Sequence, residues 1–242
     1  MRVKEHYDKH LGNFYSWMAG DFQTKVKEFH QFLNEHHLAA AYGDVAVDLG
    51  AGNGIQSLAL AESGFDVIAI DFNRQLLDEL IANTRSRTVT VINDDIRNFH
   101  VHARNVALIC CCGDTITHLD NLDDIAQLTK RIFAALKPGG HAIFSFRDYS
   151  LALQGSARFI PVKSDDNRIL TCVLDYHADS VTVTDLLHER VAGVWRQSVS
   201  SYEKVRLDQD VFIQNLGRDG FVINLNKTIG RMITVLASRP SA

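Results

Sequence analysis

The chain has 242 residues, 46% of them hydrophobic and 22% charged, with a net charge of −4. That balance calls for a packed core rather than disorder. Without a block of Lys or Arg, it speaks against nucleic acid or an anionic membrane as partner. No apolar run approaches the roughly 20 residues that a bilayer-spanning helix needs, and the polar, His-rich start lacks the apolar stretch of a signal peptide.

Cys110, Cys111 and Cys112 are adjacent, and Cys172 stands alone. They fit neither a disulfide framework nor a metal-binding spacing, and read as small residues of a buried strand in a reduced, cytoplasmic protein.

In chain order, "DFQTKVKEFHQFLNEHHL" (21–38) puts Val26, Phe29, Phe32 and Leu33 at helical spacing. "DVAVDLG" (44–50) is a β-branched run ended by glycine, and "IQSLALAESG" (55–64) is a helix closed by Gly64. Then "FDVIAID" reads as strand, "NRQLLDELIANTRS" as helix, and "VTVIND" and "VALICCC" as strands. "NLDDIAQLTKRIFAAL" is a helix stopped by "KPGG", and "HAIFSF" a fifth strand. Strand–helix alternation of this kind predicts a mainly parallel, doubly wound α/β sheet.

After residue 155 the rhythm changes. Residues 168–207 read as three strands joined by turns near "HADS" and "AGVW", an antiparallel insertion. A helix in "DQDVFIQNLGRDGF" and two strands, "VINLNK" and "MITVLAS", close the chain. The expected organisation is one domain: a helical cover (1–40), a ligand-binding core (41–150), a β cap (155–206) and a closing segment (207–242).

"VDLGAGNGIQS" (47–57) joins the first strand to a helix, so it lies at the carboxyl edge of the sheet, where open α/β folds bind ligands. Gly50, Gly52 and Gly54 allow a tight turn and a close approach. A dinucleotide fingerprint would put glycine where Ile55 stands, and no GKT or GKS follows for a nucleoside triphosphate. Asp71 ends the second strand about twenty residues on, where a carboxylate can accept both hydroxyls of a ribose. Asp94 and Asp95 end the third, where an adenine edge would lie. They are also placed to cap the turn that follows. Together these acids suggest an adenosine without a pyrophosphate.

The segments "VDLGAGNG", "AIDFN", "INDDI", "CCGDTITHL" and "LKPGG", in that order, resemble the class I S-adenosylmethionine-dependent methyltransferases. The resemblance implies a Rossmann-like seven-stranded sheet with an antiparallel last strand. It also implies S-adenosylmethionine as cofactor, with S-adenosylhomocysteine as product. It sets Gly50, Ala51, Gly52 and Gly54 against the methionyl part of the cofactor and gives its amino group to Asp48. Ribose goes to Asp71, and adenine to Asp95 with Ile96; Phe72 and Asp94 are further cofactor contacts. Cys112 joins this contact set, and Tyr15 and Trp17 of "NFYSWM" are lid contacts.

Asp114, Thr115 and His118 can reach the place where the methyl should point, and His118 can take a proton near neutral pH. "GDTITHL" followed by "LKPGGHAIFSFRDYS" is similar to the glycine and sarcosine N-methyltransferases, whose arginine at the position of Arg147 binds the substrate carboxylate. Asp114 and Asp148 stand where that group has Asn, which favours an amine-bearing substrate or a pairing that silences Arg147. In the cap, Tyr176, His177, His188, Arg190, Trp195, Arg196 and Tyr202 alternate across strands, so half would face the cleft. The expected partner is a small-molecule acceptor, methylated on N or O, with no metal, nucleic acid or membrane and with room for a homo-oligomer. An NAD-dependent oxidoreductase and a non-catalytic cofactor-binding module are the competing readings.

Overall fold

The structure is a computed structural model, and it describes residues 3–85 and 88–241. Its centre is a seven-stranded sheet in the order β10-β11-β5-β4-β1-β2-β3. The strands are β1 (Val45–Leu49), β2 (Asp66–Asp71), β3 (Val89–Asn93), β4 (Val106–Cys111), β5 (Leu136–Phe146), β10 (Val222–Ile229) and β11 (Met232–Ser238). β1 to β5 pair in parallel, and β11 runs antiparallel to both β5 and β10. This is the expected Rossmann-like sheet with its reversed final strand.

All six residues of β4 are buried, as a strand covered on both faces must be. That is why Cys110 and Cys111 serve there as small apolar residues. One face packs on α6 (Leu122–Ala135) and α7 (Gln209–Arg218), with Phe144, Phe146 and Phe212 at the centre. The other packs on α3 (Phe22–Glu35) and α4 (Ile55–Glu62), through Leu33, Leu60 and Ile143.

Side chains start the helices where the sequence offers them. Asp21 accepts from Thr24 N at 2.8 Å ahead of α3, and Asn73 accepts from Leu76 N at 2.9 Å ahead of α5 (Arg74–Thr84). Each satisfies an amide that the first helical turn leaves free. The start of α4 has no such cap; Gly54 stands there in the left-handed region at φ 95°.

Two expectations needed adjusting. β5 begins at Leu136, five residues before "HAIFSF", because Gly139 and Gly140 pair with the backbone of Arg239 beyond β11. The cap has four strands, not three: β6 (Phe159–Ser164), β7 (Arg168–Tyr176), β8 (Ser180–Val191) and β9 (Val194–Val205). β6 is an edge strand with a register shift at Pro161, which breaks the alternation that would have revealed it.

The N-terminal segment forms α1 (Val3–Lys9) and α2 (Tyr15–Ala19). Its anchor in the cap is polar. His6, fully buried, hydrogen-bonds Ser200 Oγ at 2.8 Å and Asp185 Oδ2 at 3.1 Å and stacks on Tyr202. α1 is thereby held over the carboxyl edge of β1 and β2.

Candidate active site

A cavity of about 670 Å³ opens at that edge, within the range of small-ligand sites. Gly50 and Gly52 form part of its wall, and so do Asp71, Phe72, Asp94, Asp95 and Ile96. Val3, Lys4, Tyr7 and Tyr15 cover it from the N-terminal segment, and Thr115, His118 and Leu119 close the end beyond β4.

Much of the glycine loop's tightness serves the protein's own packing. A Cβ on Gly50 would lie 2.4 Å from the Thr115 side chain, and one on Gly54 would lie 2.7 Å from Leu80 Cγ. Only at Gly52, where the neighbour is the Tyr15 ring at 3.4 Å, is the space shared with a residue of the cover. Gly54→Ala is therefore expected to destabilise the fold by about 1–3 kcal/mol through overpacking and positive-φ strain. Urea unfolding measures this.

Asp71 is held by backbone amides. Its Oδ2 accepts from Gly52 N at 2.9 Å and its Oδ1 from Asn73 N at 2.8 Å. An ionised carboxylate has about four lone-pair sites, so each oxygen keeps one for a ligand. Burial raises its pKa, against the bonds from the Asn73, Gly52 and Phe72 amides.

Asp94 and Asp95 are more committed. Asp94 accepts from Asn98 and from the His102 ring, both at 2.9 Å. Asp95 caps the turn at Arg97 N and forms an ion pair with the Arg97 guanidinium at 2.7 Å. Burial raises the pKa of Asp95, but the bonds from Arg97 outweigh it and hold the carboxyl below its ordinary value. Of the two, only Asp95 caps the turn, and both line the cavity.

Several expected contacts lie outside the lining. Asp48 is 1% exposed beneath the loop and accepts from Ser57 Oγ at 2.6 Å; burial pushes its pKa up to about 7. Ala51 and Gly54 pack inward, away from the cavity. Cys112 borders a separate cavity of about 210 Å³ with Phe29, Ile55 and Ser145. Trp17 donates from Nε1 to Asp165 at 2.6 Å, with its ring beside Lys163 and Arg168. It fastens α2 to the β6–β7 corner instead of covering the cavity.

Asp114 and Arg147 also stand back. Asp114, 3% exposed and at φ 75°, opens the turn that carries Thr115 and His118. Its Oδ2 pairs with Lys204 Nζ and accepts from Tyr149 OH at 3.1 Å; its Oδ1 accepts from Arg147 N at 2.9 Å. Burial raises the pKa of this acid, but Lys204, His118 and the Arg147 amide more than reverse the rise and hold it ionised. Arg147 Nε comes to 3.9 Å of Asp114 Oδ2, and its side chain is about half exposed.

His118 is where sequence reasoning needs correction. Burial, then the Lys204 charge, push its pKa down to about 3 against the pull of Asp114. The ring is neutral at physiological pH and does not take up a proton there. Its Nε2 is buried without a hydrogen-bond partner, and the ring meets Tyr7 and Tyr202 edge-on at 5.7 and 5.8 Å.

Residues 46–140 match the family model described as a methyltransferase domain. The chain is 34% identical over 107 residues to a glycine/sarcosine N-methyltransferase of Halorhodospira halochloris, covering 43% of this chain and 40% of that one. It is 30% identical over 142 residues to a protein of the same name from Parasynechococcus marenigrum, covering 57% and 46%. Over residues 46–140 the chain is similar to the class I S-adenosylmethionine-dependent methyltransferases.

The alignments span less than half the length of those two relatives, whereas solved methyltransferase structures match almost end to end. One from Clostridium acetobutylicum superposes with a TM-score of 0.72 at 19% identity, over 98% of this chain and 97% of that one. The structure of CalS10, an amino pentose methyltransferase from Micromonospora echinaspora, gives 0.71 at 14%, over 92% and 93%. At such identities the likeness is one of fold.

The candidate site also has members that the motifs did not reveal. Tyr7 and Lys4 come from α1, a seven-residue helix too short for a periodic signal. Arg97 reaches Asp120 and Asp124 as well as Asp95, and only the D-I-R spacing after β3 hinted at it. Lys204 shares the buried face of β9 with Tyr202; its pairing with Asp114 bridges 90 residues, beyond any local pattern. Of the cap residues singled out, Tyr202 faces inward, whereas Trp195 is 46% exposed.

Proposed function

We propose that this protein is a methyltransferase that binds S-adenosylmethionine in the 670 Å³ cavity and methylates nitrogen or oxygen of a small metabolite. The observation that carries the reading is Asp71: a buried acid at the end of β2, fixed by two backbone amides, facing the same cavity as Gly50 and Gly52, with acceptor capacity left over. The lining fits the cofactor. Asp71 would take the ribose hydroxyls, Asp94 and Asp95 the exocyclic amine of adenine, and Ile96 with Leu119 the faces of the ring. Gly50 and Gly52 leave room for the methionyl arm, and Tyr15 would cover it.

When bound, that cofactor supplies a methyl group on a sulfonium that carries its own leaving group. The chain's part is to orient the acceptor and exclude water. α1 closes the cavity from above through Val3, Lys4 and Tyr7. A neutral His118 is suited to accept a hydrogen bond from an acceptor N–H or O–H and thereby fix its direction. A base that must be protonated during turnover is a poor match for a ring this resistant to protonation. The rate profile of methyl transfer from labelled cofactor is therefore expected to show no histidine inflection from about pH 6 to 8. An inflection near pH 6.5 that disappears in His118→Gln would contradict this role. No transfer to any amine or hydroxyl acceptor, by a protein that binds the cofactor, would leave a binding module instead. Among the described residues no helix is long and apolar enough to cross a membrane.

A further inference from the structure

The cations at this site are already taken. The charged residues of the cavity lining are Asp71, Asp94, Asp95 and Asp120 against Lys4 and Arg97. Lys4 Nζ lies 2.6 Å from Asp8 Oδ2, and Arg97 is shared among Asp95, Asp120 and Asp124. A third cation, Lys204, stands behind the His118 end. It is flanked by the rings of Tyr149 and Tyr202 at 5.8 and 5.7 Å, and the Tyr202 ring also touches His118.

Lys204 and Asp114 are 7% and 4% exposed in their side chains. The carboxylate is locked from three directions: by the lysine, by the Tyr149 hydroxyl and by the Arg147 amide. A buried ion pair of this kind is costly to break from one side, because the remaining charge is left without compensation. A carboxylate tethered to the chain also competes with a diffusing one at a high effective concentration.

From this arrangement we propose that Asp114 occupies, from within the protein, the anion position beside Lys204, so that the site takes amine acceptors lacking a carboxylate and discriminates against amino acids. The inference rests on the methyl-transfer reading above and narrows its acceptor. With Asp71, Asp94 and Asp95 turned to the cofactor, an amino-acid carboxylate would find no cation among the described lining residues at the His118 end.

The test pairs acceptors that differ in the carboxylate alone: ethanolamine against glycine, and N-methylethanolamine against sarcosine. Methyl transfer from labelled S-adenosylmethionine is followed for each, with calorimetric binding of S-adenosylhomocysteine measured alongside. The wild-type protein is expected to use the hydroxyl member of at least one pair with a kcat/KM at least about tenfold above that of its amino-acid partner, a difference of about 1.4 kcal/mol. In Asp114→Asn, which frees Lys204, the ratio is expected to move at least about tenfold toward the amino acid. Equal or better use of glycine or sarcosine by the wild type overturns the proposal, as does an unchanged ratio in a folded Asp114→Asn. If that variant does not fold, the wild-type ratios decide. Intact homocysteine-product binding with amino-acid preference refutes only the acceptor class. Absence of that binding refutes the methyl-transfer reading itself.

Discussion

Replacing Asp71 with alanine is expected to weaken binding of S-adenosylhomocysteine at least about a hundredfold. That magnitude follows from two hydrogen bonds between a charged acceptor and the ribose diol, each worth about 1.5–3 kcal/mol. The carboxylate also organises its surroundings: it bonds Gly52 N in the glycine loop and Asn73 N at the entry to α5. The variant thus loses both the ligand's acceptor and the brace of the loop beside it. Asp71→Asn separates the two effects. Its amide oxygen can keep one of the backbone bonds, but it brings an NH₂ where the other acceptor stood. It should keep the bond to one amide, leave the other unpaired at a cost of about 1–3 kcal/mol, and retain little of the affinity. Calorimetric titration of both variants, with urea unfolding as the control, measures this. Wild-type affinity in Asp71→Ala would remove Asp71 from the binding site.

Asp48→Asn is expected to act in the opposite direction on stability. The pKa of Asp48 rises from 3.8 to about 7 because burial disfavours its charge, against a bond from Ser57 that favours it. The folded state therefore holds this proton more tightly than the unfolded chain does. Ionisation costs nothing below about pH 4, costs progressively more as pH rises toward 7, and costs the full amount above it. A tenfold change in proton affinity is worth about 1.4 kcal/mol, so the charge costs on the order of 4 kcal/mol at about pH 8. Asparagine keeps an oxygen for Ser57 and removes the charge. Denaturant unfolding should show the variant more stable by a few kcal/mol at about pH 8 and no more stable at about pH 4. A destabilised variant at the higher pH would mean that Asp48 meets a compensating cation. A group so costly to its own fold is typical of a functional position, so the variant's cofactor affinity is expected to fall.

The sheet was legible because its signals are local and repeated. Each parallel strand is a short apolar run next to a helical period, and β4 could be read from "VALICCC" alone. β6 was not, since a proline and an edge position remove the alternation on which strand reading depends. At the site, the glycine loop and the acids ending β2 and β3 could be read because topology fixes where strand ends lie. What touches them could not. Gly50 and Gly54 are glycines partly for the sake of Thr115 and Leu80, which no spacing rule foretells. The charge state of His118 depends on its burial and then on Lys204, far along the chain. Trp17 had the right position for a lid and the wrong partner, an aspartate in the cap. Identity and spacing reveal where a residue can act; burial and long-range pairing decide how.

The claim beneath all of this is that the cleft between the glycine loop, Asp71 and α1 holds an adenosyl group. A co-crystal with S-adenosylhomocysteine tests it most directly. The expected result is the ligand in that cleft, with both ribose hydroxyls within hydrogen-bonding distance of the Asp71 carboxylate and the sulfur toward the His118 end. A ligand bound elsewhere on the surface, or a cleft that stays closed over Tyr7 and Tyr15 at saturating concentration, would contradict it.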